Sequence, residues 1–491
     1  MDLTSLPEPI AKRLHQITQA LSAETATLED LAKAAASCED LLSFDRTNAG
    51  ALFLLATTYM KVQKFGVAEN LFHRALQIQP KAAEVYNNLG YICHTEGRID
   101  EAEEAFKMCL ELQPGNIEAM SNLASVFVNN GTPERALAAC DACLLVAPNQ
   151  ADAKWNRALA LLEMGRWAEG WDAYKAGLEL ATGSSVRRKT RYATLPYWSG
   201  SADDYVVVYG EQGLGDEIMG YSMVNDLIAN DVNFILEVHP RLVTLIRTTW
   251  PDVPVYGTRK VEDDGAMILA ENPDLTAKIP LLGLGGIYRR TDESFKRGHL
   301  PYLWREGPDE WYEEVYRLIP DLKAPRVGLS WSGGTMPTRG DIRSLPLGAY
   351  LPMMKRFGDR VQWVSMQYDP AEAPGLHTHI VEAFNRDNDV NLIHEPTLIN
   401  DIDLGYTGLL VTCDLVISVN TSLVHACGAL GTQCVCLTPT KPAWRYGLSG
   451  NRMPWYGEHV TVERQPMDGD WGAPLDAAED RVAALLGEFD A

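Results

Sequence analysis

No run of about 18 apolar residues, the least that crosses a bilayer as a helix, occurs in this chain. The best apolar stretch, residues 409–419, is short and broken by Cys413 and Asp414. The opening residues, MDLTSLPE, lack the basic segment and apolar core of a secretory signal. A cytoplasmic location is therefore expected. Basic residues are scarce as well: 43 Lys and Arg face 66 Asp and Glu, giving a formal charge of −23. Such a surface repels nucleic-acid backbones and anionic membrane faces. The short basic cluster at 187–191 is too small to reverse this, so neither a nucleic-acid partner nor membrane insertion is expected. The nine cysteines are odd in number and without a regular framework, which suits a reducing compartment. Metal motifs are missing too. Asp401-x-Asp403 precedes a helix and reads as its cap, and His377-x-His379 would put two imidazoles on one face of a strand with no third ligand. No metal site is expected.

What the chain has is room and a repeat. Its 491 residues allow two to four domains, each with its own core. Prolines 80, 114 and 148 recur every 34 residues, the tetratricopeptide period. In the clearest unit, 83–114, Tyr86, Leu89, Gly90, Gly97, Ala102, Phe106 and Pro114 occupy the repeat's positions. Gly90 and Ala102 let paired helices approach, Leu89 and Phe106 fill the space between them, Gly97 permits the turn, and Pro114 ends the second helix. Units at 49–80, 117–148 and 151–182 repeat the pattern; the last, with Thr182 for the closing proline, resembles a capping unit. A degenerate unit at 13–46 precedes them. The repeat domain is thus expected over 1–184, with 185–203 as linker. Cys140-x-x-Cys143 falls on helix-packing positions of the array, which favours packing over redox or zinc chemistry.

From Tyr205 the period changes to short β-branched runs alternating with amphipathic segments, the signature of parallel α/β units. Expected strands are 205–209, 234–238 and 267–269, then, in a second lobe, 327–331, 361–366, 415–419 and 434–437. Helices are expected at 217–229 and 240–249, and at 309–319 between the lobes. The lobes are bounded as 204–322 and 323–491. The first strand leads into Gly210-x-x-Gly213-x-Gly215 and a helix start, an arrangement that puts a side-chain-free loop at the sheet's carboxyl edge. Glu211 and Asp216 would sit at its mouth. In the second lobe a strand runs into Ser332 and Gly333, followed by Arg339 and Arg343, whose guanidiniums suit a diphosphate. A later strand ends at Asn420, where Thr421, Ser422 and Leu423 open a helix able to hold phosphate oxygens. His425, one turn in, either faces the cleft or is a satisfied structural histidine.

The motifs GEQGLGDE (210–217), PYLW (301–304), GLSWSGG…RSLPL (328–347), VISVNTSLVHACGALG (416–431) and PAWRYG…PWY (442–456) appear together and in order. In this set the chain resembles tetratricopeptide proteins that carry a GT-B glycosyltransferase domain similar to the heptosyltransferase-like family. It is also similar in plan to repeat-bearing protein O-glycosyltransferases, including bacterial flagellin-modifying enzymes. The resemblance implies an all-α tetratricopeptide superhelix followed by two Rossmann-like lobes, the first on the acceptor side and the second binding the nucleotide sugar. It implies inverting, metal-independent transfer with Asp216 as base; Glu211, the other carboxylate expected at the mouth, is the next candidate. The resemblance maps its phosphate-binding helix start onto Thr421, Ser422 and Leu423; with the residues read above, Gly213, Gly215, Ser332, Gly333, Arg339, Arg343, Asn420 and His425, these are the expected donor-binding residues. Where the family commonly has Asp, this chain has Asn420, which bears on donor identity.

Three functional readings follow. The chain transfers sugar from a nucleotide-sugar co-substrate, needing no other cofactor, to a polypeptide gripped by the repeat groove. Alternatively it glycosylates a glycan or small molecule, with the repeats serving assembly. In the third reading it is a non-catalytic scaffold with a degenerate GT-B domain.

Overall fold

The computed structural model describes residues 8–22, 27–180, 192–211, 213–258, 264–303, 309–319, 323–334, 340–370, 373–401 and 405–489. The chain forms two compact units, Met1–Arg157 and Ala158–Ala491.

The chain opens with the helices α1 (Glu8–Ser22), α2 (Leu28–Phe44), α3 (Ala49–Lys61), α4 (Phe65–Ile78), α5 (Ala83–Thr95), α6 (Ile99–Leu112), α7 (Ile117–Asn129), α8 (Pro133–Val146), α9 (Ala151–Glu163) and α10 (Trp167–Leu180). They are tetratricopeptide-like pairs, and the degenerate unit expected at 13–46 corresponds to α1 and α2. A Cβ on Gly90 would lie 2.7 Å from the Phe106 ring, so the close approach of α5 and α6 depends on that glycine. Left-handed turns recur at Gly97, Gly131 and Gly165, and at Gln63 one period earlier. All nine cysteines are buried free thiols. Burial pushes Cys140 up to about 12, which favours the inert thiol and agrees with a packing role.

The second unit takes α10 with it, so the boundary falls inside α9 rather than at 184. The reason is aromatic: Trp167, Trp171 and Tyr174 are buried, and Trp171 sits against Gly285, where a Cβ would come within 2.4 Å of its ring. The described part of the expected linker is also packed. Tyr192 and Trp198 are buried, and Trp198 N–H donates to Lys278 O at 2.8 Å.

Two parallel sheets follow. β1 (Tyr205–Tyr209), β2 (Asn233–Glu237), β3 (Val255–Tyr256) and β4 (Ala277–Pro280) lie in the order β3-β2-β1-β4. β5 (Arg326–Ser330), β6 (Gln362–Ser365), β7 (Leu392–Ile393), β8 (Leu415–Val419), β9 (Cys434–Thr438) and β10 (Val460–Arg464) lie in the order β10-β9-β8-β5-β6-β7. Both are doubly wound orders, which reverse direction beside the first strand and open a crevice there. The expected strand at 267–269 is instead part of the helix Asp264–Glu271. Ile268 is fully buried while Met267 is exposed, so the apolar run serves one helix face. His377 and His379 lie on the helix Leu376–Asn388, not on a strand; the first is buried and the second exposed.

Candidate functional site

Loops from the carboxyl edges of the two sheets meet around Gly215. A Cβ there would lie 2.8 Å from the His425 ring and 3.2 Å from Ser422 Cα, so the helix Leu214–Gly220 rests on the first turn of the helix Ser422–Leu430. Tyr302 fastens this junction. Its hydroxyl donates to Ile218 O at 2.8 Å, and its backbone N–H donates to Ala429 O at 3.0 Å. The PYL residues of the 301–304 motif therefore pin together the two helices that carry the candidate residues; Trp304 lies outside the described residues.

Asp216 is oriented by an ion pair: Arg445 Nη1 lies 3.0 Å from its Oδ1, and its side chain is 13% exposed. Burial opposes the charge of Arg445, but the Asp216 carboxylate together with Tyr446 and Tyr456 outweighs it, and the guanidinium is held above its ordinary value. Glu211 has a different fate. It is 1% exposed, and its Oε1 accepts from the Tyr174 hydroxyl at 2.8 Å and from Leu282 N–H at 3.3 Å. Burial pushes its pKa up to about 7, against the opposing Tyr174 hydrogen bond and with a contribution from nearby Glu217. Glu211 is thus inside the loop rather than at the mouth, and no acceptor reaches its carboxylate as it stands.

Gly333, after β5, and Thr421, after β8, adjoin at the crevice of the six-stranded sheet. A Cβ on Gly333 would lie 2.3 Å from Thr421 Cγ2. Thr421 caps its helix by accepting from Leu423 N–H at 3.3 Å. The backbone amides of two expected donor-binding residues are engaged internally. Ser332 N–H donates to Gln367 Oε1 at 3.0 Å, and Gly333 N–H donates to Ser344 Oγ at 3.2 Å. Arg343 lies over Gly334, which has φ +89°, and donates from Nε to Gly333 O at 3.0 Å. Burial lowers the Arg343 pKa. Arg343 and Asn420 line a recess of about 270 Å³ with Lys441, Pro442 and Tyr446. Asn420 is 2% exposed, and its Oδ1 accepts from Thr438 Oγ1 at 3.1 Å while its Nδ2 has no partner among the described residues. A buried amide donor without an acceptor is costly, and it is a place for an incoming oxygen.

His425 does not face the crevice. It is 1% exposed, its Nδ1 stands 2.9 Å from the Tyr456 hydroxyl, and its Nε2 stands 3.3 Å from that of Tyr446. Burial, with Arg445 nearby, drives its pKa well down, so it is a neutral packing histidine. Arg339 and Asp403 lie outside the described residues. Asp401 accepts from Gly405 N–H at 3.2 Å, at the start of the helix Gly405–Val411. No group of three or more His, Cys, Asp or Glu close enough for a metal occurs among the described residues. No described helix is long and apolar enough to cross a membrane. A second recess, of about 700 Å³, lies at the end of β4 between Trp171, Tyr174, Tyr197, Trp198 and Ile287.

Sequence reasoning did not single out Arg445, Lys441, Gln367 or Tyr174. Arg445 had a signal, since it stands inside the PAWRYG motif. Tyr174 had none, because in a repeat it reads only as a packing residue.

Three comparisons bear on this arrangement. The family described as the middle TPR-like domain of cilia and flagella-associated protein 70 matches residues 52–173. Protein FlbA of Caulobacter vibrioides is 28% identical over 350 residues, covering 68% of this chain and 55% of that protein. The chain thus spans about half the length of the curated relative it matches. Among solved structures, MamA is 22% identical, covering 31% of this chain and 88% of that one with a TM-score of 0.29. YrrB, described as a TPR protein with an unusual peptide-binding site, is 18% identical, covering 34% and 84% with a TM-score of 0.29. PilF of Pseudomonas aeruginosa is 17% identical, covering 45% and 86% with a TM-score of 0.33.

Proposed function

We propose that the chain is an inverting, metal-independent glycosyltransferase of GT-B type, moving a sugar from a nucleotide sugar onto a hydroxyl of a polypeptide that the repeats recognise. The observation that carries this reading is the Asp216–Arg445 pair. A carboxylate from the first turn of the helix Leu214–Gly220 is held at 3.0 Å by a guanidinium from the segment after β9, beside the crevice of the second sheet. In the proposed reaction the acceptor oxygen attacks the anomeric carbon and its proton passes to Asp216. The bond from that carbon to the phosphate oxygen breaks, and the nucleotide leaves with the electron pair. Arg343, Lys441 and the Asn420 amide, whose Nδ2 has no partner among the described residues, are the groups suited to stabilise its charge. The match to FlbA is longer than the ten repeat helices, which supports treating the repeats and the α/β unit as one working chain.

Melting curves with UDP-, ADP-, GDP- and CMP-sugars test the donor, because a ligand of the native state raises the melting point by mass action. Stabilisation by one of them, followed by its hydrolysis, is the expected result. Failure of all four nucleotide classes to shift the curve would remove the reading. One observation favours the scaffold alternative: the Ser332 and Gly333 amides are already satisfied by Gln367 and Ser344. That alternative predicts no turnover of any donor.

A further inference from the structure

We infer that α10, the last helix of the repeat series, is a positioning element of the candidate site, acting through Trp171 on the Arg445 loop and through Tyr174 on the Glu211 loop. The two residues are three apart and therefore share one face of α10. Trp171 meets the Trp444 ring edge-on, with centroids 5.9 Å apart and planes at 90°. Trp444 directly precedes Arg445, the partner of Asp216. Tyr174 donates to Glu211 Oε1 at 2.8 Å, and Glu211 lies five residues before Asp216.

The helix is itself fixed. Trp171 Nε1–H donates to Arg289 O at 2.9 Å, and Trp167 Nε1–H donates to Asp292 Oδ1 at 2.6 Å. Rings continue the connection: Trp167 packs on Phe295 at 4.6 Å, Phe295 on Trp455 at 4.9 Å, and Trp455 on Trp444 at 6.4 Å. One face of α10 thus touches the residue directly before Arg445 and a residue five positions before Asp216. Ordinary repeat packing needs neither a tyrosine hydroxyl on a buried carboxylate nor a tryptophan against a loop some 270 residues away.

The functional meaning of this bracing rests on the proposed role of Asp216, but its test does not. Hydrogen exchange is followed in the full chain for wild type, Tyr174→Phe and Trp171→Phe, at about pH 5.5 and about pH 8. The groups around the Glu211 carboxyl are Tyr174 from α10, Glu217 from the next helix and the Leu282 amide. With its pKa near 7, Glu211 is ionised only at the higher pH, where loss of the tyrosine donor is felt most. Tyr174→Phe should raise exchange in the 210–220 peptide about threefold or more at the higher pH and much less at the lower. Trp171→Phe should raise exchange at 443–447 at both pH values and leave 210–220 near wild type. Wild-type exchange in both peptides for both variants would overturn the inference. So would a pH-independent rise across the whole second unit, which is what a merely structural contact produces. A wild-type chain that turns over no nucleotide sugar would remove the proposed function and leave the exchange result standing.

Discussion

Arg445 and Asp216 form an ion pair, 3.0 Å between Nη1 and Oδ1, although they arise in short helical segments that follow strands of different sheets. The pair fixes where a base would stand and holds one sheet region to the other. A substitution at either partner therefore has two readouts, turnover and stability.

Asp216→Asn should lower transfer by about 10²-fold or more, the range for removing a general base, and leave nucleotide affinity nearly unchanged. The melting point should also fall, because Arg445 loses its carboxylate while remaining mostly buried. Kinetics with the donor found by thermal shift, together with a melting curve, check both. Unaltered turnover would remove Asp216 as base, and Glu211 would be no substitute while it is enclosed.

Glu211 should make stability fall as pH rises. In the unfolded chain its carboxyl loses its proton near 4.5, whereas in the folded chain burial keeps the proton until about 7. Between those values the native state binds the extra proton. The stabilisation is complete below 4.5 and is lost as pH rises through about 7. The full linkage is worth at most about 3 kcal/mol. Glu211→Gln keeps an oxygen for Tyr174 and Leu282 but does not titrate. Urea midpoints should match wild type at about pH 4.5 and exceed it at about pH 8. Identical pH profiles would show that Glu211 is not buried in this way.

The repeats were legible because their signal is periodic: each of Gly90, Gly97 and Phe106 sits where the same packing problem recurs 34 residues away. The long buried strands β1, β8 and β9 were legible as apolar runs. β4, with the sequence AKIP, was not, since Lys278 and Pro280 argue against a strand, although all four of its residues are buried. The same limit applies to the site. Asp216 and Asn420 stand in recognisable motifs, but burial of His425 between two tyrosines depends on tertiary contacts that no local pattern encodes.

Gln63 offers a separate check on the repeats. It adopts φ 60° where the neighbouring units have glycine, and its side chain is exposed. A side chain in that conformation costs about 1 kcal/mol, part of which glycine returns as unfolded-state entropy. Gln63→Gly should therefore raise repeat stability by up to about 1 kcal/mol, read as a denaturant midpoint without change in slope. A loss of stability would mean that the side chain contributes something its exposure hides.

Arg289 and Asp226 form a buried pair at 2.8 Å, and Arg289 also donates to Ser222 O at 3.0 Å. Burial lowers the Arg289 pKa, with Asp226 opposing that shift. Removing Arg289 leaves Asp226 buried with only the exposed Arg297 guanidinium at 3.8 Å, and removing Asp226 leaves the Arg289 charge buried without its carboxylate. Arg289→Ala should cost about 3–5 kcal/mol, enough to unfold a marginal domain. Arg289→Met together with Asp226→Leu, which removes both charges, should recover much of the loss. A double variant no better than the single one would show that the backbone bond to Ser222 matters more than the pair.

The position of α10 decides where the chain can be cut. A fragment starting at 181 matches the expected end of the repeats, yet it lacks Trp167, Trp171 and Tyr174, all buried in the second unit. Each large aromatic is worth about 3–5 kcal/mol when removed from a core, so three together approach or exceed the 5–15 kcal/mol that holds a domain. Their loss also frees the Trp444 ring and leaves Glu211 without its tyrosine donor. A fragment starting near 149 retains α9 and α10 entire and loses only repeats that pack on their own neighbours. The 149–491 fragment should be soluble, melt in one cooperative transition and bind the same nucleotide as the full chain. The 181–491 fragment should be insoluble or lack a cooperative transition. If 149–491 then glycosylates a polypeptide acceptor at the parental rate, the repeats are not its recognition module, and the glycan-acceptor reading takes precedence. If 181–491 folds as well as the longer fragment, α10 is dispensable, and bracing by Trp171 and Tyr174 fails with it.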